Sequence, residues 1–184
     1  MKKVYAYLAS GLEEVECLAT VDVLRRAGIE VTLISIEKER YVTGSHNITI
    51  QADAQFEETN PKEADCLFLP GGMPGTKYLA AHKGLTEALV AAYANGQHLA
   101  AICAAPSVLG NLGLLEGKEA TCYPGFEEML RGASYTRKGV VTDGHITTAR
   151  GLGYALDLGL ELICVLLGKE KAIEVKAAIQ YDQV

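Results

Sequence analysis

Apolar positions change rhythm along the chain, and the changes outline strands alternating with helices. Residues 3–8 form a short apolar run of strand length. Residues 13–27 carry a helical stripe at Val15, Leu18, Ala19 and Val23, and Gly28 closes it. Residues 29–36 alternate and are rich in β-branched side chains, so they predict a second strand. Residues 43–51 predict a hairpin or a short strand pair. Residues 65–69 form a buried strand that stops at Pro70-Gly71-Gly72, a loop signal. Residues 85–94 predict a helix capped by Gly96. Residues 99–102 predict the strand that delivers Cys103, and Ser107, Val108, Leu109 and Leu112 begin a helix that stops at Gly113. Residues 120–122 predict a short strand and 126–130 a short helix. Val140-Val141-Thr142, the turn Asp143-Gly144 and residues 145–148 predict a hairpin. A long helix with a wide apolar face (154–167) and an amphipathic one (170–179) follow.

This alternation predicts one α/β domain over residues 1–184. Its sheet is mostly parallel, with helices on both faces and a small β-hairpin. Composition agrees: 49% hydrophobic and 22% charged residues in 184 suit an ordinary globular domain. The net charge of −6, with no lysine or arginine run longer than two, argues against nucleic acid or an anionic membrane as the main partner. The start of the chain lacks a signal-peptide pattern. The apolar stretch 156–167 is broken by Asp157 and Glu161 and is too short to span a bilayer. The expected location is the cytoplasm. Five cysteines, an odd number without C-x-x-C, suit reduced thiols better than disulfides or structural zinc. No G-x-G-x-x-G and no P-loop occurs, so neither a nucleotide nor a metal cofactor is expected.

In such sheets, sites form at the carboxyl ends of strands. Three loops meet there: Ser10-Gly11, Pro70-Gly71-Gly72 and Cys103-Ala104. Cys103, between a strand and a helix, has small neighbours that suit a sharp turn with a protruding thiol. Exposure at the sheet edge and a nearby helix N-terminus would favour the thiolate. A buried structural cysteine is the alternative. Glu16 is its candidate partner, raised in pKa beside a thiolate and able to donate to sulfur. The alternative is that Glu13, Glu14 and Glu16 merely complement the helix dipole. The N–H groups of Gly72 and Ala104 are candidates for an oxyanion hole, unless Gly71-Gly72 is only a tight turn. His98 precedes the strand and sits at its wrong end. His82 and His145 read as ordinary surface or core residues.

Five segments together resemble the ThiJ/PfpI superfamily, in its parkinsonism-associated deglycase and redox-chaperone branch. They are Gly11-Leu12-Glu13-Glu14-Val15-Glu16, Val21-Asp22-Val23-Leu24-Arg25-Arg26-Ala27-Gly28, Leu69-Pro70-Gly71-Gly72, Ala100-Ala101-Ile102-Cys103-Ala104-Ala105-Pro106 and Thr148-Ala149-Arg150-Gly151. The resemblance implies a flavodoxin-like three-layer fold and a homodimer, with residues 43–51 and the helices beside the first strand as its surfaces. It implies Cys103 as nucleophile, Glu16 as its protonated partner, and the Gly72 and Ala104 amides around the sulfur. It implies action on small dicarbonyls or glycated protein, or a redox-sensing chaperone whose cysteine becomes a sulfinate. Tyr123 stands where members with a Cys–His pair carry histidine, which puts any imidazole-dependent mechanism in doubt. Ala104 stands where the protease-like branch carries histidine, so a protease- or amidotransferase-like hydrolase is the weaker reading. His46 replaces a frequent arginine. Tyr123, Arg26 and His46 are candidate lining residues.

Overall fold

The computed structural model of the protein describes residues 1–181. In chain order the strands are β1 Lys3–Leu8, β2 Glu30–Ser35, β3 Tyr41–Thr43, β4 Thr49–Gln51, β5 Ala54–Gln55 and β6 Cys66–Leu69. They continue with β7 His98–Ile102, β8 Glu119–Ala120, β9 Ser134–Tyr135, β10 Val140–Asp143 and β11 Ile146–Ala149. The helices are α1 Glu14–Arg26, α2 Gly75–Ala81, α3 Lys83–Ala94, α4 Pro106–Asn111, α5 Ala155–Leu167 and α6 Lys169–Ala178.

Seven strands make one sheet in the order β10-β11-β7-β6-β1-β2-β5. Every pair is parallel except β10 with β11. The period of two along β1 sorts its side chains onto two cores. Val4, Ala6 and Leu8 pack with Val23 and Leu24 of α1 and with Leu158 and Leu162 of α5. Tyr5, Tyr7 and Ala9 pack on the other face with Leu79, Leu85, Leu89 and Val108 of α2, α3 and α4. Strands buried on both faces read as continuous apolar runs, which is why β1, β6 and β7 stand out in the sequence. Each fully buried leucine contributes about 1.5–3 kcal/mol.

The chain runs outward from β1 through β2 to β5, then returns to lay β6 on the other side of β1. This reversal opens a crevice between the carboxyl ends of β1 and β6. One backbone bond staples the two loops across it, Glu13 N–H donating to the Gly71 carbonyl at 2.9 Å, and another ties the first loop to the β3–β4 hairpin, Gly11 N–H donating to the Thr43 carbonyl at 2.8 Å.

The structure corrects several local expectations. Residues 43–51 do form a hairpin, but it begins at Tyr41 and stands apart from the main sheet. The 140–149 hairpin is present, yet β11 also pairs with β7, so the hairpin is the edge of the main sheet. The strand expected at 120–122 is β8, Glu119–Ala120, which pairs with β9 in a separate two-stranded patch and leaves Thr121 and Cys122 outside any strand. Residues 126–130 hold only one 3-10 turn, Glu127–Met129. Helix α2 went unforeseen because it opens on glycine without a capping side chain.

Candidate active site

The thiol stands where the backbone is strained. Cys103 has φ 65°, in the left-handed region that favours glycine. Such a conformation costs roughly 1–3 kcal/mol and needs surroundings that hold it. Here Cys103 N–H donates to the Ala149 carbonyl at 2.9 Å, and its own carbonyl accepts Tyr123 N–H at 2.8 Å. These bonds tie the corner to the ends of β11 and of the segment after β8. They turn the side chain off the strand and over the crevice.

Two glycines make room for it. A Cβ on Gly71 would overlap Glu16 Oε2 and lie 2.6 Å from the Cys103 Cβ. Gly72 has φ +94°, and a Cβ there would lie 2.5 Å from the Leu12 carbonyl carbon. Their bare backbones let the N–H of Gly72, with that of Ala104, point at the sulfur.

The three carboxylates at the start of α1 take three different roles. Glu13 caps the helix, its Oε2 accepting Glu16 N–H at 2.7 Å. Glu14, buried, holds the β3–β4 turn: Oε1 accepts the N–H of His46 at 2.7 Å and of Ile48 at 3.3 Å. Its Oε2 lies 3.0 Å from His46 Nδ1. Although burial pushes the Glu14 carboxyl up, these bonds hold it below the usual range. Glu16 turns into the crevice at 1% exposure and faces Cys103. Its Oε2 completes no hydrogen bond, the one carboxylate oxygen among three such buried side-chain atoms in the described residues.

Burial pushes the Glu16 carboxyl up to about 7, against the pull of the thiol and of the Gly71 and Leu152 amides. Burial, then the Glu16 charge, pushes the Cys103 thiol up to about 12. The expectation that the corner favours a free thiolate is therefore corrected. The amides of Ala104 and Gly72 do pull the thiol down, but desolvation and the adjacent carboxylate outweigh them. Two anions cannot share this pocket, so above about pH 7 the pair holds one proton between sulfur and carboxylate.

Tyr123 lies beside this pair: its ring comes within 3.3 Å of a Cβ built on Gly151, and Glu16 Oε1 within 4.0 Å of the same point. Arg26 does not join them. It sits ten residues along α1 from Glu16, a rise of about 15 Å, and pairs with Asp22 at 2.6 Å. His46 is exposed one layer out, held by Glu14. His98 is buried at the amino end of β7, its Nε2 2.8 Å from Thr147 Oγ1. The sequence pattern put Gly71 in a site loop without a role of its own, and did not point to Gly151 or Leu152 as parts of the site. Gly71 and Gly151 lay within the family-like segments, whereas an amide such as Leu152 leaves no side-chain signal. Glu13, Glu14 and His46 bring donor atoms within 4.8 Å of one another and could hold a cation. Glu14 already spends its oxygens on the hairpin, so the trio acts first as a clasp.

A family model described as DJ-1/PfpI matches residues 2–164. Protein DJ-1 homolog B of Arabidopsis thaliana is 41% identical over 97% of this chain, which spans only 41% of that relative. A deglycase of Pyrococcus abyssi is 33% identical over 77% of this chain and 86% of its own length. The solved structure of oxidized Toxoplasma gondii DJ-1 superposes with a TM-score of 0.95, at 35% identity over 100% of both chains.

Proposed function

The chain belongs to the DJ-1/PfpI family, and from the contact between its strained thiol and a buried carboxyl we propose a cysteine-dependent enzyme for reactive dicarbonyls or the early adducts they form on proteins. The single observation that carries the reading is Cys103 in a left-handed corner, facing Glu16 with an unpartnered Oε2. The name of the Pyrococcus abyssi deglycase supports it.

The chemistry follows from the groups present. Sγ adds to the aldehyde carbon of a 2-oxoaldehyde, and the C=O electron pair moves to oxygen. The thiol proton passes to Glu16, whose raised pKa suits an acid/base near neutrality. The Gly72 and Ala104 N–H groups steady the new oxyanion. Glu16 gives that proton to the oxyanion, then takes the proton from the former aldehyde carbon and returns it to the neighbouring carbon, while the hydroxyl proton of the first carbon moves to the oxygen of the second. The result is a thioester of a 2-hydroxy acid. Water attacks it, releasing the acid and restoring the thiol, so methylglyoxal plus water becomes lactate. Tyr123, half exposed, has no base role in this sequence. With buffer scavenging subtracted, methylglyoxal turnover should fall to background in Cys103→Ala. Equal turnover by parent and variant overturns the reading.

A redox-sensing chaperone is the second reading, favoured by the same unpartnered oxygen. Two equivalents of peroxide would convert the thiol to a sulfinate and release water. The sulfinate would accept from protonated Glu16 and the two amides. Peroxide should then add two oxygens at Cys103 alone, and Glu16→Ala should abolish that selectivity on intact mass. A homodimer in the cytoplasm, as a stress-protective protein, belongs to the same proposal. No helix among the described residues is long and apolar enough to cross a membrane.

A further inference from the structure

A groove of about 340 Å3 opens beside the thiol, lined by Tyr123, Pro124, Arg150, Leu152 and Tyr154 around Gly151. It is joined to the reacting pair by backbone. Tyr123 N–H donates to the Cys103 carbonyl, Cys103 N–H donates to Ala149 one residue before Arg150, and the Leu152 amide faces the Glu16 carboxyl. Gly151 lies between Tyr123 and Glu16: a Cβ there would sit 3.3 Å from the Tyr123 ring and 4.0 Å from Glu16 Oε1, so the groove wall and the carboxyl are one side chain apart. The walls are apolar and open: Tyr123 is 51% exposed, Leu152 49% and Tyr154 38%. A large apolar surface left uncovered next to a reactive group asks for an apolar occupant. Arg150 adds a charge. Its guanidinium donates to the Arg137 carbonyl at a long 3.5 Å and has no carboxylate partner among the described residues.

We propose that this groove receives the substituent on the reacting carbonyl, and that it selects aldehydes bearing an aromatic or branched apolar group with a carboxylate end over methyl-sized ones. Tyr123, Leu152 and Tyr154 would enclose the apolar body, and Arg150 would pair with the anion. The inference rests on Cys103 adding to carbonyls. The step itself is reversible: a sulfur–carbon bond forms, the carbonyl π bond breaks, and the thiol proton ends on the new hydroxyl through Glu16. No oxidant or reductant takes part.

The test reads hemithioacetal formation, not turnover. Acetaldehyde, benzaldehyde and 4-carboxybenzaldehyde are titrated as protectors of Cys103 against iodoacetamide, followed by intact mass. Each value is normalised to the same aldehyde with a free cysteine derivative. Benzaldehyde should protect about tenfold better than acetaldehyde, the scale of discrimination a small apolar pocket gives, and 4-carboxybenzaldehyde better again. Tyr123→Ala should remove the first gain, and Arg150→Gln only the second. Normalised values equal for all three aldehydes, or preferences that survive both substitutions, overturn the proposal while leaving carbonyl addition intact. Failure of every aldehyde to protect a thiol that iodoacetamide still alkylates sinks the carbonyl reading, and this proposal with it.

Discussion

Strand β7 carries a titratable side chain at each end, and the two are handled in opposite ways. At the amino end His98 sits on regular backbone. Its Nε2 meets Thr147 Oγ1 at 2.8 Å, Thr147 meets Thr142 at 2.8 Å, and Thr142 donates to Glu161 at 2.7 Å, so the chain of hydroxyls runs out to the surface. Burial, then the His145 charge, lowers the imidazole to about 4 and keeps it neutral. At the carboxyl end Cys103 is strained, its partner Glu16 keeps an unpartnered oxygen, and neighbouring glycines are stripped of side chains to fit. Hollow size does not distinguish them: the larger cleft, about 500 Å3, opens at the His98 end. What distinguishes the Cys103 end is unspent chemistry, a strained thiol beside a carboxyl whose Oε2 the fold leaves without a partner, and on the proposed function this is the working end.

The harshest way to break this contrast is through glycine. Gly72→Ala drives a methyl into the backbone of Leu12 and Glu13, which cannot give way. It should cost about 4 kcal/mol or more in urea melts and abolish Cys103 reactivity. Gly96, near the amino end, also has positive φ but open space around its Cβ. Gly96→Ala should cost only about 1 kcal/mol of conformational strain and leave Cys103 alkylation at the parent rate. Equal losses in the two variants would erase the distinction.

The next effect sharpens it through pH. Glu16 has a folded pKa near 7 against an ordinary 4.5, so the folded state holds a proton the unfolded state releases between those values. Its contribution is full below about pH 4.5 and is lost as pH rises through 7. His98 runs the other way: at about 4 against an ordinary 6.5, it is neutral when folded while the unfolded imidazole charges. Its contribution is present above 6.5 and is lost as pH falls toward 4. Each shift corresponds to about 3 kcal/mol, and across the shared window the two slopes cancel. Glu16→Gln should therefore make stability climb from pH 4.5 to 6.5 more steeply than in the parent. His98→Phe should make it decline. Chemical denaturation across that range reads both, and parallel curves for the two variants would remove the claim that the ends oppose each other.

The sequence made one end far more legible than the other, and for physical reasons. Strands β1, β6 and β7 showed because double burial demands unbroken apolar runs. Cys103 stood out at a strand-to-helix corner with small neighbours, whereas Glu16 was set apart from Glu13 and Glu14 only by the family resemblance. The direction of the Cys103 shift did not show, since desolvation depends on what packs around the thiol and no spacing encodes that. Arg26 belonged to a recognisable segment, yet the length of α1 carries it to the far end of the helix. Leu152 contributes an amide, which any residue there would have supplied. His98 was read at the wrong end of the strand, and it does lie at the amino end of β7, but its hydroxyl chain joins three elements and is invisible to local pattern.

The smallest effect tests whether the His98 end is purely structural. Thr147 is fully buried, and its Oγ1 lies 2.8 Å from His98 Nε2. Thr147→Val keeps the shape and removes the hydroxyl. Thr142 retains Glu161 as a partner, so the imidazole nitrogen bears the loss. A buried polar atom left without a partner costs about 1–3 kcal/mol, and urea melts at pH 7.5 should show a drop of that size. Cys103 alkylation should not move, because the change lies at the opposite end of the strand and touches neither Glu16 nor the glycine loop. A stable Thr147→Val protein with altered Cys103 reactivity would mean that the two ends communicate along β7 and β11. The separation between a satisfied end and an unsatisfied one would then be a coupling, with the hydroxyl chain part of the working site.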